Sequence, residues 1–96
     1  MTTGFVTFKA KDGQAAHQLE TTLLEMESLS NQEKGLVSYE VFQSEEDELT
    51  YYVRESWADQ PAFEVHLNQP HIQKFLEEAP QWLSGPITSM ALKKLS

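Results

Sequence analysis

The stretch from Leu36 to Trp57 reads LVSYEVFQSEEDELTYYVRESW and carries the clearest structural pattern in the chain. Two runs rich in aromatic and β-branched residues, Leu36–Gln43 and Leu49–Trp57, lie on either side of the acidic segment Ser44–Glu48. Such runs are typical of β-strands, and a link this short makes the two strands antiparallel neighbours. The stretch therefore predicts a β-hairpin.

Helical and extended patterns flank the hairpin on both sides. Leu19, Leu23 and Met26 recur at helical spacing and share one face of a helix. In chain order, the predicted elements outside the hairpin are a strand at Gly4–Ala10, a helix from Gln14 to about Leu29, a helical region that begins near Asp59, a shorter helix from His71 to about Glu78, and a strand at Ile87–Leu95. This βαββαβ order predicts an α+β, ferredoxin-like fold, with a four-stranded antiparallel sheet and both helical regions on one face.

The opposite face of such a sheet carries no helix. Its apolar side chains would be exposed to water in a monomer, and a bare apolar face commonly marks an interface. Two copies that pack sheet against sheet would cover these side chains. The pattern therefore predicts a homodimer.

Composition narrows the class of protein. A chain of 96 residues predicts a single domain over residues 1–96, with a core from about 4 to 94. Fifteen acidic and seven basic residues give a net charge of −8, which disfavours nucleic acids and anionic membranes as partners. The chain has no cysteine, no apolar run near the roughly 20 residues of a membrane span, and no visible secretory signal. We therefore expect a cytoplasmic protein that binds neither nucleic acid nor membrane.

Candidate chemistry is concentrated at the end of the third strand and just beyond it, in Glu55, Trp57, Phe63, His66 and His71. Glu55 and Trp57 are two residues apart on a strand and point to the same face, while Phe63 and His66 share one face of the next helix. An imidazole is the side chain best suited to proton transfer near neutral pH, and aromatic walls suit a flat aromatic ligand. The cluster predicts a site that binds such a ligand and exchanges a proton with it.

A structural interpretation of the same residues stands beside this one. Trp57 and Phe63 are equally typical of core residues, and His66 would then tie the helix to the sheet through a hydrogen bond to Glu55 or to a carbonyl oxygen. His71 would then simply begin a helix. His66 and His71 are five residues apart with Pro70 between them, whereas ligands on one helix face are about three or four apart, so no metal site is predicted.

Two segments resemble the antibiotic biosynthesis monooxygenase family. Residues 55–71, ESWADQPAFEVHLNQPH, are similar to the family's E-x-W, A-aromatic-x-x-H and P-H steps. Residues 33–40, EKGLVSYE, resemble its E-P-G-x-x-x-Y-E entry to the second strand. Lys34 replaces the usual proline, and Gln69 a small hydroxyl residue.

The resemblance implies a dimeric α+β barrel and a cofactor-independent monooxygenase. Characterised members act on phenolic polyketides or quinols, and the reduced aromatic substrate itself activates dioxygen without flavin, haem or metal. If the family's site residues are assigned to the matching positions of this chain, His66 and Glu55 would be catalytic. The substrate-binding residues implied are Trp57, Phe63, Tyr39 and His71.

Other branches of the family give the alternatives. The resemblance does not extend to the haem-degrading branch. The helix tryptophan of that branch would fall at His66, and its haem-ligating histidine would fall at Leu76, which cannot ligate iron. A small-metabolite isomerase remains an alternative, as does a non-catalytic ligand-binding or stress-related dimer, because family membership does not decide the reaction.

Overall fold

The computed structural model describes all 96 residues and confirms the predicted element order. The elements are β1 (Thr2–Lys9), α1 (Gly13–Ser30), β2 (Leu36–Gln43), β3 (Thr50–Trp57), α2 (Gln60–Leu67), α3 (Pro70–Glu78), a short 3₁₀ turn (Ala79–Gln81) and β4 (Thr88–Leu92). The last strand is shorter than predicted. It pairs only with β1, where Leu92 lies opposite Thr3, so almost no partner strand remains beyond that point.

The sheet is antiparallel throughout, in the order β2-β3-β1-β4. In the register of the central strand β3, Glu55 lies between Tyr39 on β2 and Gly4 on β1. This register points the carboxyl group of Glu55 towards the helices. The predicted ferredoxin-like α+β fold is confirmed.

Both long helical regions begin at an aspartate. Asp12 accepts a hydrogen bond from the backbone N–H of Ala15 at 2.8 Å, and Asp59 accepts one from the N–H of Ala62 at 2.9 Å. Such caps satisfy backbone donors that the first helical turn leaves free. The second helical region is divided, because α3 begins at Pro70, whose ring cannot continue the hydrogen bonding of α2. This break places the end of α2 beside the start of α3.

The core fills the space between the helices and one face of the sheet. Leu19 and Leu23 of α1 are fully buried, and Val53 of β3 and Phe75 of α3 are nearly so. The other face carries no helix, and there Phe5 stacks on Tyr52 with ring centroids 5.3 Å apart. The exposed apolar side chains of this bare sheet face are Phe42, Met90 and Leu92.

Gly35 allows the loop between α1 and β2 to approach α2 closely. Its φ is +91°, in the region that favours glycine, and a Cβ atom added there would lie 2.7 Å from the Cβ of Ala62. Gly35→Ala is therefore expected to lower the free energy of unfolding by about 2 kcal/mol, as measured by urea denaturation. The matched control is Gly85→Ala, which meets no atom within 4 Å and should be nearly neutral. Equal effects of the two substitutions would contradict this account.

A membrane-crossing segment needs both length and apolar character, and none of the helices combines the two.

Candidate active site

A cavity of about 360 Å³ lies between the sheet and helices α2 and α3. Most of its lining is apolar, and His66 and Glu55 supply an imidazole and a carboxyl group. Leu67 and Leu76 line it while remaining exposed, so the cavity opens to solvent at these residues. A cavity of about 150 Å³ is enough for benzene, so this one has room for more than one aromatic ring.

His66 is held by a carboxylate on the side away from Glu55. Its Nδ1 lies 2.8 Å from Oε2 of Glu33, and both side chains are more than nine-tenths buried. Because a carboxylate only accepts hydrogen bonds, this contact assigns the proton to Nδ1. The Nε2 atom of a neutral His66 ring is then free to accept a proton.

Glu33 is a residue of this site that the sequence patterns did not indicate. It lies in the loop between α1 and β2, far from the predicted cluster along the chain. The signal that could have identified it is its place at the start of the EKG segment, which resembles the family's entry to the second strand. The close approach at Gly35 brings this loop against α2, which carries His66.

Glu55 is buried on β3 and is bound by Trp57. The indole Nε1–H of Trp57 donates a hydrogen bond to Oε1 of Glu55 at 2.9 Å. The same oxygen is 3.7 Å from Nε2 of His66, too long for the hydrogen bond that the structural interpretation expected. Burial raises the pKa of Glu55, although the hydrogen bond from Trp57 and the nearby His66 oppose this shift.

Trp57 lies behind His66 and does not line the cavity. The indole is fully buried, and its ring centroid is 4.4 Å from that of His66. Tyr39 and Phe63 do line the cavity, with ring centroids 6.1 and 6.4 Å from that of His66. The structure thus places Tyr39, Glu55, Phe63 and His66 together at the cavity, with Trp57 supporting two of them.

Tyr39 is a neutral hydrogen-bond donor in this setting. Burial, followed by the negative charge of Glu55, raises the pKa of the Tyr39 phenol well above its usual range. The phenol therefore keeps its proton at neutral pH and presents an O–H group.

His71 lies outside the cavity, on the far side of Glu33. Its Nε2 is 3.3 Å from Oε2 of Glu33, so the carboxylate lies between two imidazoles. The ligand atoms of Glu33, His66 and His71 all lie within 4.8 Å of one another. One carboxylate and two imidazoles are donors that a divalent transition metal accepts, and the fold brings them together despite the helix break.

The distances in this cluster favour hydrogen bonding over metal binding. Two ligand atoms on one tetrahedral zinc are about 3.4 Å apart. The 2.8 Å contact between Glu33 and His66 is shorter and matches a charge-assisted hydrogen bond.

The burial of Glu55 predicts a pH-dependent effect of Glu55→Gln on stability. A raised pKa in the folded state means that the stability from Glu55 is fully present below its unfolded pKa and is lost as pH rises through the folded pKa. The variant, whose amide oxygen can still accept from Trp57, should be more stable than the wild type at pH 8, because it carries no buried charge there. The difference should shrink towards pH 4.

Urea denaturation at both pH values measures this difference. Glu64→Gln on α2 is the control, because that side chain is exposed and should show no comparable change. A Glu55→Gln variant that is less stable than the wild type at pH 8 would refute the prediction.

Comparisons with known proteins agree with this architecture. The family described as "Antibiotic biosynthesis monooxygenase" matches residues 1–78. A Bacillus subtilis (strain 168) protein named "Putative monooxygenase YcnE" is 32% identical over 71 residues, which cover 71% of this chain and 75% of that protein.

Solved structures share the fold over nearly the whole chain. PA3566 from Pseudomonas aeruginosa is 28% identical with a TM-score of 0.91, over 99% of this chain and 94% of that one. Rv0793 from Mycobacterium tuberculosis is 20% identical with a TM-score of 0.91, over 99% and 95% of the two chains, and shows the fold alone. The family match and the relationship to the Bacillus protein together identify the chain as a member of the antibiotic biosynthesis monooxygenase family.

Proposed function

We propose that the protein is a monooxygenase that oxidises a reduced aromatic, a quinol or a polyketide-like molecule, without flavin, haem or metal. The observation that supports this most is the buried pair of His66 and Glu33 at an apolar cavity. A base held in one tautomer beside an apolar space is suited to remove a phenolic proton. The volume of the cavity and the rings of Tyr39 and Phe63 suit a flat ligand.

In the proposed reaction, Nε2 of His66 takes a proton from a phenolic O–H of the substrate. The resulting anion is electron-rich and reduces dioxygen. For a hydroquinone, the products are a hydroxyquinone and one molecule of water, so the substrate supplies all four electrons and no external reductant is needed. The apolar lining excludes water and protects the reactive intermediates.

Oxygen uptake by the purified protein tests this proposal. The assay uses protein treated with a chelator, no added cofactor, and a panel of reduced quinones and hydroxylated polycyclic aromatics. Uptake above the rate of autoxidation without protein is the expected result. If no member of the panel is consumed but the same aromatics bind the cavity, the site is a binding site, and the oxygenase proposal fails.

We also propose that two copies of the chain pack through the bare sheet face. Phe42, Met90 and Leu92 expose apolar surface there. Covering such a patch is favourable, and large patches on soluble proteins commonly mark interfaces. Sedimentation equilibrium at several protein concentrations checks this, and a monomer at every concentration would contradict it.

A further inference from the structure

Glu33 connects the cavity to a groove on the protein surface. On one side its Oε2 is 2.8 Å from Nδ1 of His66, which lines the cavity. On the other side the same oxygen is 3.3 Å from Nε2 of His71. The His71 side chain is 18% exposed, and it lines a surface groove together with Gln32 and Gln69.

Among the neighbouring side chains of His66, Glu33 and His71, two polar atoms have unused hydrogen-bonding capacity. Nε2 of His71 and Oε1 of Glu33 are buried, and neither has a hydrogen-bond partner. Buried polar atoms are nearly always paired, so an unpaired atom calls for an explanation. Nε2 of His71 is within hydrogen-bond distance of Oε2 of Glu33 but is not aligned with it, so a proton on Glu33 would reach this nitrogen after a small rotation of the His71 ring.

We propose that Glu33 and His71 form a reversible proton relay, which takes the proton that His66 removes from the substrate. This inference rests on the proposed function for its catalytic role. The relay itself is a property of three neighbouring side chains and is testable without any substrate.

Each step moves one proton between named atoms. When Nε2 of His66 binds the substrate proton, the Nδ1 proton passes to Oε2 of Glu33. Glu33 then donates to Nε2 of His71, which becomes the cation. The reverse sequence returns the proton through His66 to the oxygen atom that leaves as water, and it restores the starting tautomer of His66.

Charge gives a reason for moving this proton. A cationic His66 beside the substrate anion would stabilise the anion strongly, because Coulomb attraction is large in an apolar site. A stabilised anion gives up electrons to dioxygen less readily. Moving the positive charge to His71 places it beyond Glu33 and next to the surface groove.

Solvent exchange of the Nδ1 proton of His66 tests the relay directly. NMR of protein with ¹⁵N-labelled histidine measures this exchange in the wild type, in His71→Asn and in His71→Gln. In both variants the Nδ1 proton of His66 should exchange with solvent at least about tenfold more slowly than in the wild type, because the path from Glu33 to the surface is interrupted. His17→Asn is the matched control, since His17 is exposed on α1, and it should leave the exchange rate unchanged.

Two outcomes would overturn the relay. Exchange at the wild-type rate in both folded His71 variants would do so, whether or not the protein consumes oxygen. So would binding of one zinc ion per chain, titrated into chelator-treated protein and lost in both Glu33→Gln and His71→Asn, because the cluster would then be a metal site. Slower exchange in a protein without oxygenase activity would support the relay and reject the proposed function.

Discussion

Replacing His66 by glutamine is expected to lower the rate of oxygen uptake by about 10²–10⁴-fold, the usual contribution of a general base. The glutamine amide can still donate a hydrogen bond to Glu33, but it cannot take a proton from a phenol. His66 is 2% exposed, so the replacement must also fit the space that Trp57 and the cavity leave. The initial rate at saturating substrate measures the effect.

Two comparisons make this result specific to the site. Far-ultraviolet circular dichroism and the melting temperature establish that the variant is folded. His17→Gln changes an exposed histidine on α1 and should retain the wild-type rate. A folded His66→Gln protein with a rate within about threefold of the wild type would rule out His66 as the base.

Trp57→Ala should have the largest effect on stability. The side chain is fully buried at the end of β3, and replacing such a residue with alanine lowers the free energy of unfolding by about 3–5 kcal/mol. The variant also removes the hydrogen-bond donor to the buried Glu55 carboxyl group. For a domain of this size the melting temperature should fall on the order of 20 °C, as measured by circular dichroism.

A second variant separates the packing of Trp57 from its hydrogen bond. Trp57→Phe keeps an aromatic ring against His66 but has no N–H, so it should cost about 1–3 kcal/mol. Val65→Ala on α2 is the surface control, since Val65 is 59% exposed and the change should fall within about 0.5 kcal/mol. A Trp57→Ala protein as stable as Val65→Ala would show that the indole contributes little to the fold.

The local patterns predicted the elements correctly because each pattern depends on near neighbours in the chain. The aromatic and β-branched runs at Leu36–Gln43 and Leu49–Trp57 became β2 and β3, with β3 beginning one residue later at Thr50. Asp12 and Asp59 cap helices as their side chains allow. The end of β4 was less predictable, because it depends on where its partner β1 runs out.

The order of the elements and the unpaired sheet face could be predicted from the sequence, because strand alternation and helix periodicity carry that information. The same patterns predicted that Glu55, Phe63 and His66 lie near one another, whereas Tyr39 was placed with them only by the family resemblance. The folded structure was needed to show that Glu33, and not Glu55, accepts the hydrogen bond of His66, and that His71 faces Glu33 instead of the cavity. No periodicity relates a loop residue to helices some thirty positions later. That contact arises from the packing of the loop against α2 at Gly35, where only a glycine permits the approach.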